Sequence, residues 1–175
     1  LVQALGEALP PEAVVIDETI SSGRGMRVFL RSDDAQSYFG NRGGGIGWGL
    51  PAAIGAKLAL PQRPVVCLSG DGSAMYTAQS LWTAAHERLG VVFVIFNNTS
   101  YKILKQRVRA MEGDVAQTNT YVGMDLHEPA IDFVSLARSM GVAAERVTTL
   151  DVVRAKLQDA LALQQPTLLD VAIAS

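Results

Sequence analysis

The run Val91-Val92-Phe93-Val94-Ile95-Phe96 has no polar position. Built as a strand, it leaves neither face free to meet water, so both faces need a cover. Similar apolar runs occupy residues 13–17, 64–69, 143–147 and 167–173. Between them lie stretches with apolar residues at three- and four-residue spacing, the helical period: residues 50–60, 73–89, 130–140 and 150–163, with 2–9 opening the chain. Gly141 after Met140 suits a helix C-terminus, and Asp151 suits the positive end of the last helix. Strands buried on both faces and alternating with helices predict an α/β fold: a doubly wound, mainly parallel sheet with helices on both faces. Residues 1–175 read as a single domain.

Residues 107–128 break the pattern. They are polar, mix Gly113, Asp114, Asn119 and Gly123, and show no sustained period. A flexible segment over the active-site side is expected there, and a plain surface excursion fits as well.

Open parallel sheets bind ligands beyond the carboxyl ends of their strands. Two predicted strand ends carry unusual chemistry. At Ser69-Gly70-Asp71-Gly72-Ser73, glycines flank an aspartate where a helix is expected to begin. Glycine lets a ligand approach the backbone, and Ser73 with free N–H groups could face an anion. Asp71 would repel that anion unless a divalent cation lay between them. The second end, Asn97-Asn98-Thr99-Ser100, supplies a neutral amide oxygen and turn carbonyls, although read alone it is also an ordinary turn. Asp71, Asn98 and one carbonyl, with phosphate oxygens and water, would complete the oxygen octahedron that Mg²⁺ prefers.

Gly70-Asp71-Gly72, then 24 residues, then Asn97-Asn98 resembles the signature of thiamine-diphosphate enzymes. The glycine-rich stretch from Arg42 to Gly55 resembles a helix start in the diphosphate-binding domain of that family. The segment Asp71-Gly72-Ser73-Ala74-Met75-Tyr76, with Leu81-Trp82-Thr83-Ala84-Ala85 and Pro166-Thr167-Leu168-Leu169-Asp170-Val171, is similar to benzoylformate decarboxylases and acetolactate-synthase-like proteins. The resemblance implies thiamine diphosphate and Mg²⁺ as cofactors. It implies Asp71 and Asn98 as metal-binding side chains and Ser100 as the source of a main-chain oxygen. Gly72, Ser73 and Tyr101 would surround the diphosphate, and Gly70 would belong to the cofactor-binding set. Gly44 would meet the aminopyrimidine amine through its carbonyl, and Ile46 would be the aliphatic wedge that keeps the cofactor bent. Ile20 and Ser21 would lie near the cofactor, and Ile103, Leu104 and Arg107 would line a substrate pocket.

The reaction implied is decarboxylation or carboligation of a small 2-oxo acid. Ile20 and Arg107 depart from benzoylformate decarboxylases, which carry a hydroxyl and an aromatic residue there, and this argues against an arylglyoxylate substrate. Tyr101-Lys102-Ile103-Leu104-Lys105 departs likewise from the Gly-Met-Val-type continuation of acetolactate synthases.

The resemblance also implies a glutamate from a separate pyrimidine-binding domain, normally on a neighbouring chain. Glu18 follows a strand end but lies on the wrong domain for that role. The chain is therefore expected to be inactive alone. It reads either as a piece of a longer chain of about three domains, homodimeric or homotetrameric when complete, or as one subunit of a split enzyme.

The other readings are weaker. Gly47-Trp48-Gly49-Leu50-Pro51-Ala52 matches a dinucleotide-binding fingerprint, but Tyr38-Phe39 is too short for a convincing preceding strand and Asn97-Asn98 goes unexplained. A non-catalytic relic fits poorly with the intact donor set. A net charge of −2 with no long basic run gives no support for nucleic-acid binding. Cys67 is the sole cysteine and is expected buried in a strand. His86 is expected at the surface, and His127 in the irregular segment. No apolar stretch reaches the ~18 residues of a membrane span, and a cytoplasmic location is expected.

Overall fold

The computed structural model describes residues 1–23, 25–30 and 34–174. One sheet is built from β1 (Val14–Glu18), β2 (Tyr38–Gly40), β3 (Val65–Gly70), β4 (Val91–Asn97), β5 (Ala143–Val147) and β6 (Thr167–Ala172). The strand order is β2-β1-β3-β4-β6-β5, and every pairing is parallel.

Side chains of a strand alternate between faces, and the all-apolar strands use that alternation to build two cores. Val65, Cys67, Val91, Phe93 and Ile95 point to one face. There they meet Leu50 and Ala53 of α3 (Gly49–Ala59), Leu81 and Ala84 of α5 (Ser80–His86), and Phe133 and Ala137 of α8 (Phe133–Ser139). Val66, Leu68, Val92, Val94 and Phe96 point to the other. Their cover is Leu5 of α1 (Val2–Ala8), Met26 of α2 (Met26–Phe29), and Val153 and Leu157 of α9 (Leu150–Leu163). This is the doubly wound α/β architecture expected. Phe93 is wholly buried at the centre, where loss of a ring typically costs about 3–5 kcal/mol.

Three segments differ from expectation. The helix expected over 73–89 is two: α4 (Asp71–Ala74), a single turn, and α5. Between them Tyr76 bonds back to Ser73 and Ser80 to Thr77, three residues apart rather than four, while the Thr77 hydroxyl docks on the Gly47 carbonyl at 2.7 Å. A tertiary contact therefore interrupts a locally helical sequence. Residues 107–128 are not one irregular excursion. Their first residues complete α6 (Lys102–Ala110), and α7 (Asp114–Thr118) follows. Farther on, Met124 accepts from Tyr101 N–H and Leu126 donates to Thr99 C=O, pinning this stretch to the end of β4. Tyr38-Phe39 does form a strand, because parallel pairing with Val15 and Ile16 supports an edge too short to be read alone.

β1 has β2 on one side and β3 on the other, so the winding reverses beside β1. Glu18, Gly70 and Asn97 end β1, β3 and β4 along the same edge, the edge where such sheets hold ligands.

Candidate functional site

At the end of β3 the chain leaves Gly70 in an extended conformation and turns directly into α4. Asp71 is buried, with 3% exposure. One carboxylate oxygen accepts the Gly72 N–H at 2.8 Å, and the other accepts the Ser100 N–H at 3.2 Å. The Asn98 side-chain oxygen accepts that same Ser100 N–H at 3.0 Å. Two oxygens from neighbouring strand tips thus converge on one donor. Burial pushes the Asp71 carboxyl above the usual carboxylate range, against the opposing pull of the nearby N–H groups. A cation at this point would relieve that cost.

The turn after β4 is fixed from beneath. Asn97 donates to Asp170 at 2.9 Å and accepts the Thr99 N–H at 3.1 Å, and Arg146 meets the other Asp170 oxygen at 3.2 Å. Thr99 is held in the left-handed region, with φ +54°. Ile20, a β-branched residue at the end of β1, is left-handed too, with φ +35°. Asp17 stabilises that turn by accepting from the Thr19 N–H, the Thr19 hydroxyl and the Tyr38 hydroxyl at 2.6–2.9 Å. Strained residues just after β1 and just after β4, on the same edge of the sheet, make that edge a candidate functional region.

A narrow cleft of about 50 Å³ runs between these tips. Ile20, Ser21, Ile46, Gly70, Asp71, Gly72, Ser73, Asn98, Ser100, Tyr101 and Ile103 line it, so the structure brings together eleven of the residues singled out from sequence. Gly44 lines an adjoining cleft of about 320 Å³ that shares Glu18, Thr19 and Ile20. It is left-handed, with φ +73°, and its N–H donates to Asn41 at 2.9 Å. Leu104 and Arg107 lie exposed on α6 and line neither cleft. Among the described residues, no three His, Cys, Asp or Glu side chains cluster as a metal site. The donor set at the tips is one carboxylate with amide and main-chain oxygens, hard ligands suited to Mg²⁺ completed by phosphate and water.

Sequence reasoning missed Glu18. It is 1% exposed and accepts the N–H groups of Gly47, Trp48 and Gly49 at 2.6, 3.1 and 3.0 Å. The Ser69 hydroxyl adds a fourth bond at 3.2 Å. The signal for it was present, since an acid after a strand and a helix start with unsatisfied donors are natural partners. This bond set also removes the dinucleotide reading. The amides that would receive a diphosphate at the start of α3 already hold the chain's own carboxylate. His86 and His127 are surface residues, the first stacked on Trp82 and the second beside Asp125 and Glu128. Cys67 is buried in β3, as expected. Among the described residues, no helix is long and apolar enough to cross a membrane.

Fold and cleft together define an α/β ligand-binding domain with hard oxygen donors at the tips of two adjacent parallel strands. The chain belongs to the family described as "Thiamine pyrophosphate enzyme, C-terminal TPP binding domain", whose model matches residues 21–171. It is 42% identical over 174 residues to "Putative acetolactate synthase large subunit IlvX" of Mycobacterium tuberculosis, covering 98% of this chain and 33% of that protein. It is 36% identical over 162 residues to the benzoylformate decarboxylase of Pseudomonas aeruginosa, covering 93% of this chain and 29% of that one. Among solved structures it resembles the Rhodococcus jostii RHA1 thiamine diphosphate-dependent 4-hydroxybenzoylformate decarboxylase. There the TM-score is 0.89 and the identity 35%, over 99% of this chain and 32% of that chain. The chain thus spans about a third of the length of these relatives.

Proposed function

We propose that this domain binds thiamine diphosphate through Mg²⁺ as part of a 2-oxo acid decarboxylase or carboligase. The observation that carries this reading is the convergence of the Asp71 and Asn98 oxygens on the Ser100 N–H beside the Gly70-Asp71-Gly72 turn. Asp71 and Asn98 hold the metal through side chains. Ser100 gives the metal its main-chain oxygen, while its hydroxyl donates to the Met124 carbonyl at 3.0 Å and ties the turn to the segment beyond α7. Gly70, Gly72, Ser73 and Tyr101 surround the diphosphate. Ile20 and Ser21 flank the cofactor from β1, Gly44 meets its aminopyrimidine, and Ile46 is the wedge.

When bound, the cofactor supplies a nucleophilic carbon and an electron sink for cleaving or forming a bond next to a carbonyl. The contribution of this chain is electrostatic anchoring and shape. Ile103 is the best-placed residue for the substrate side, since it lines the same cleft. Leu104 and Arg107 contribute only with movement of α6 or contact from another domain. The relatives being about three times longer favours a domain that works with a pyrimidine-binding domain on a neighbouring chain, in a homodimer or homotetramer, and that is inactive by itself.

Calorimetric titration with thiamine diphosphate, with and without Mg²⁺, tests the reading. Binding that requires the metal is expected. Binding indifferent to Mg²⁺, or a preference for a dinucleotide, would refute it.

A further inference from the structure

We propose that Glu18 is a positioning residue for the cofactor cleft: it fixes the Ile46–Gly47 peptide, and through it the seat of the Ile46 side chain. The proposal rests on the thiamine-diphosphate reading of the cleft. Gly43, Gly44 and Gly45 have no side chains to pack, and a Cβ at any of them would meet nothing within 4 Å. Their stretch is held internally by Asn41, which donates to the Gly45 carbonyl at 2.5 Å and accepts from Gly44. Tertiary anchoring begins at Gly47, whose N–H meets Glu18 at 2.6 Å and whose carbonyl meets the Thr77 hydroxyl at 2.7 Å. The peptide is planar, so fixing the Gly47 N–H fixes the Ile46 carbonyl in the same plane.

Glu18 is built for that task. All four of its partners are donors, and the positive end of α3 favours its charge. A Cβ on Gly49 would lie 2.7 Å from its Oε2, so the glycine at that position makes room for the carboxylate. Its bond to Ser69 reaches the residue two before Asp71. One side chain therefore ties the loop carrying the wedge to the strand tip carrying the metal-binding acid.

The test is Glu18→Gln, which keeps the shape but turns one acceptor into a donor. In the cofactor-free chain, amide hydrogen exchange at residues 46–49 should speed up by roughly tenfold or more, since a charge-assisted bond is lost. In the assembled enzyme, affinity for thiamine diphosphate with Mg²⁺ should stay within about threefold, because Asp71 and Asn98 are untouched. Solvent exchange of the bound cofactor's reactive C–H should fall by about 10- to 100-fold, the effect of a small misplacement. Wild-type amide exchange in a folded variant would overturn the proposal. So would equal losses of affinity and C–H exchange, the mark of a general structural role. Should Glu18→Gln not fold, Thr77→Val loosens the same peptide from its other side. The same split between affinity and C–H exchange is then expected, and its absence overturns the proposal. If wild type shows no metal-dependent cofactor binding, the functional reading fails, while the amide-exchange comparison still decides whether Glu18 clamps the loop.

Discussion

The starts of α3 and α4 look alike in sequence, each a short glycine-bracketed turn leading into a helix, yet they do opposite things. At α3, Gly47, Trp48 and Gly49 point their N–H groups at Glu18 from within the same chain, and the donors are satisfied. At α4 the acid is inside the turn itself: Asp71 aims across to the tip of β4, and the cleft between the tips stays open. A helix start favours negative charge either way. Under the proposed function, where that charge comes from separates a structural joint from a ligand seat. Glycine spacing alone does not distinguish the two, which is why the stretch from Gly47 to Ala52 imitates a dinucleotide fingerprint.

The largest effect should come from the open turn. Asp71→Asn keeps the size of the side chain but halves its capacity to accept and removes its charge. Metal-dependent thiamine diphosphate affinity should fall by at least about 100-fold, beyond the usual cost of losing an outer partner of a metal ligand. Calorimetry with Mg²⁺ reads this directly, and an affinity near wild type would erase the contrast between the two turns. Next comes the closed turn. Gly49→Ala places a methyl 2.7 Å from Glu18 Oε2 in a buried joint. The expected cost is about 1–3 kcal/mol in urea denaturation, the usual range for overpacking. At the open turn, Gly72→Ala brings its methyl within 2.4 Å of the Tyr101 ring. That ring lines the cleft and is only partly buried, so it is expected to yield where the buried Glu18 cannot. Stability should drop by less than about 1 kcal/mol while cofactor affinity falls severalfold, since the displaced ring lies beside the turn proposed to bind the diphosphate. Equal stability losses from the two alanines would mean that both turns are structural joints.

The same contrast explains how much the sequence revealed. The strands were legible because β3 and β4 are apolar at nearly every position, and the metal-binding candidates because Gly70-Asp71-Gly72 and Asn97-Asn98 place odd chemistry at strand ends. What stayed hidden depended on partners distant in the chain. Glu18 meets amides about thirty residues on, so the strand-end acid and the helix start that needs an acceptor could be matched only once the fold had brought them together. The break between α4 and α5 was hidden for the same reason. Thr77 looks helical until Gly47 is in place to receive its hydroxyl. β2 was read as too short, and pairing with β1 supplied what its own length could not.

A third carboxylate sharpens the comparison from beneath. Asp170 is 1% exposed and touches neither turn, but it holds Asn97, which in turn holds the Thr99 N–H. Burial raises its pKa above the usual carboxylate value, with the Asn97 bond and Arg146 pulling the other way and Asp132 adding a little to the rise. A carboxyl that binds its proton more tightly in the folded state adds stability below its unfolded pKa of about 3.9, and that stability is lost as pH rises through the folded value. Wild type should therefore gain stability relative to Asp170→Asn as pH falls from 7 toward 4. Asparagine can still accept from Asn97, so the turn should persist and cofactor affinity should change little. Paired urea titrations at the two pH values measure the gain. A difference that instead shrinks on acidification would mean that the Arg146 pair outweighs burial, making Asp170 an ion-pair anchor rather than a desolvated strut beneath the open turn.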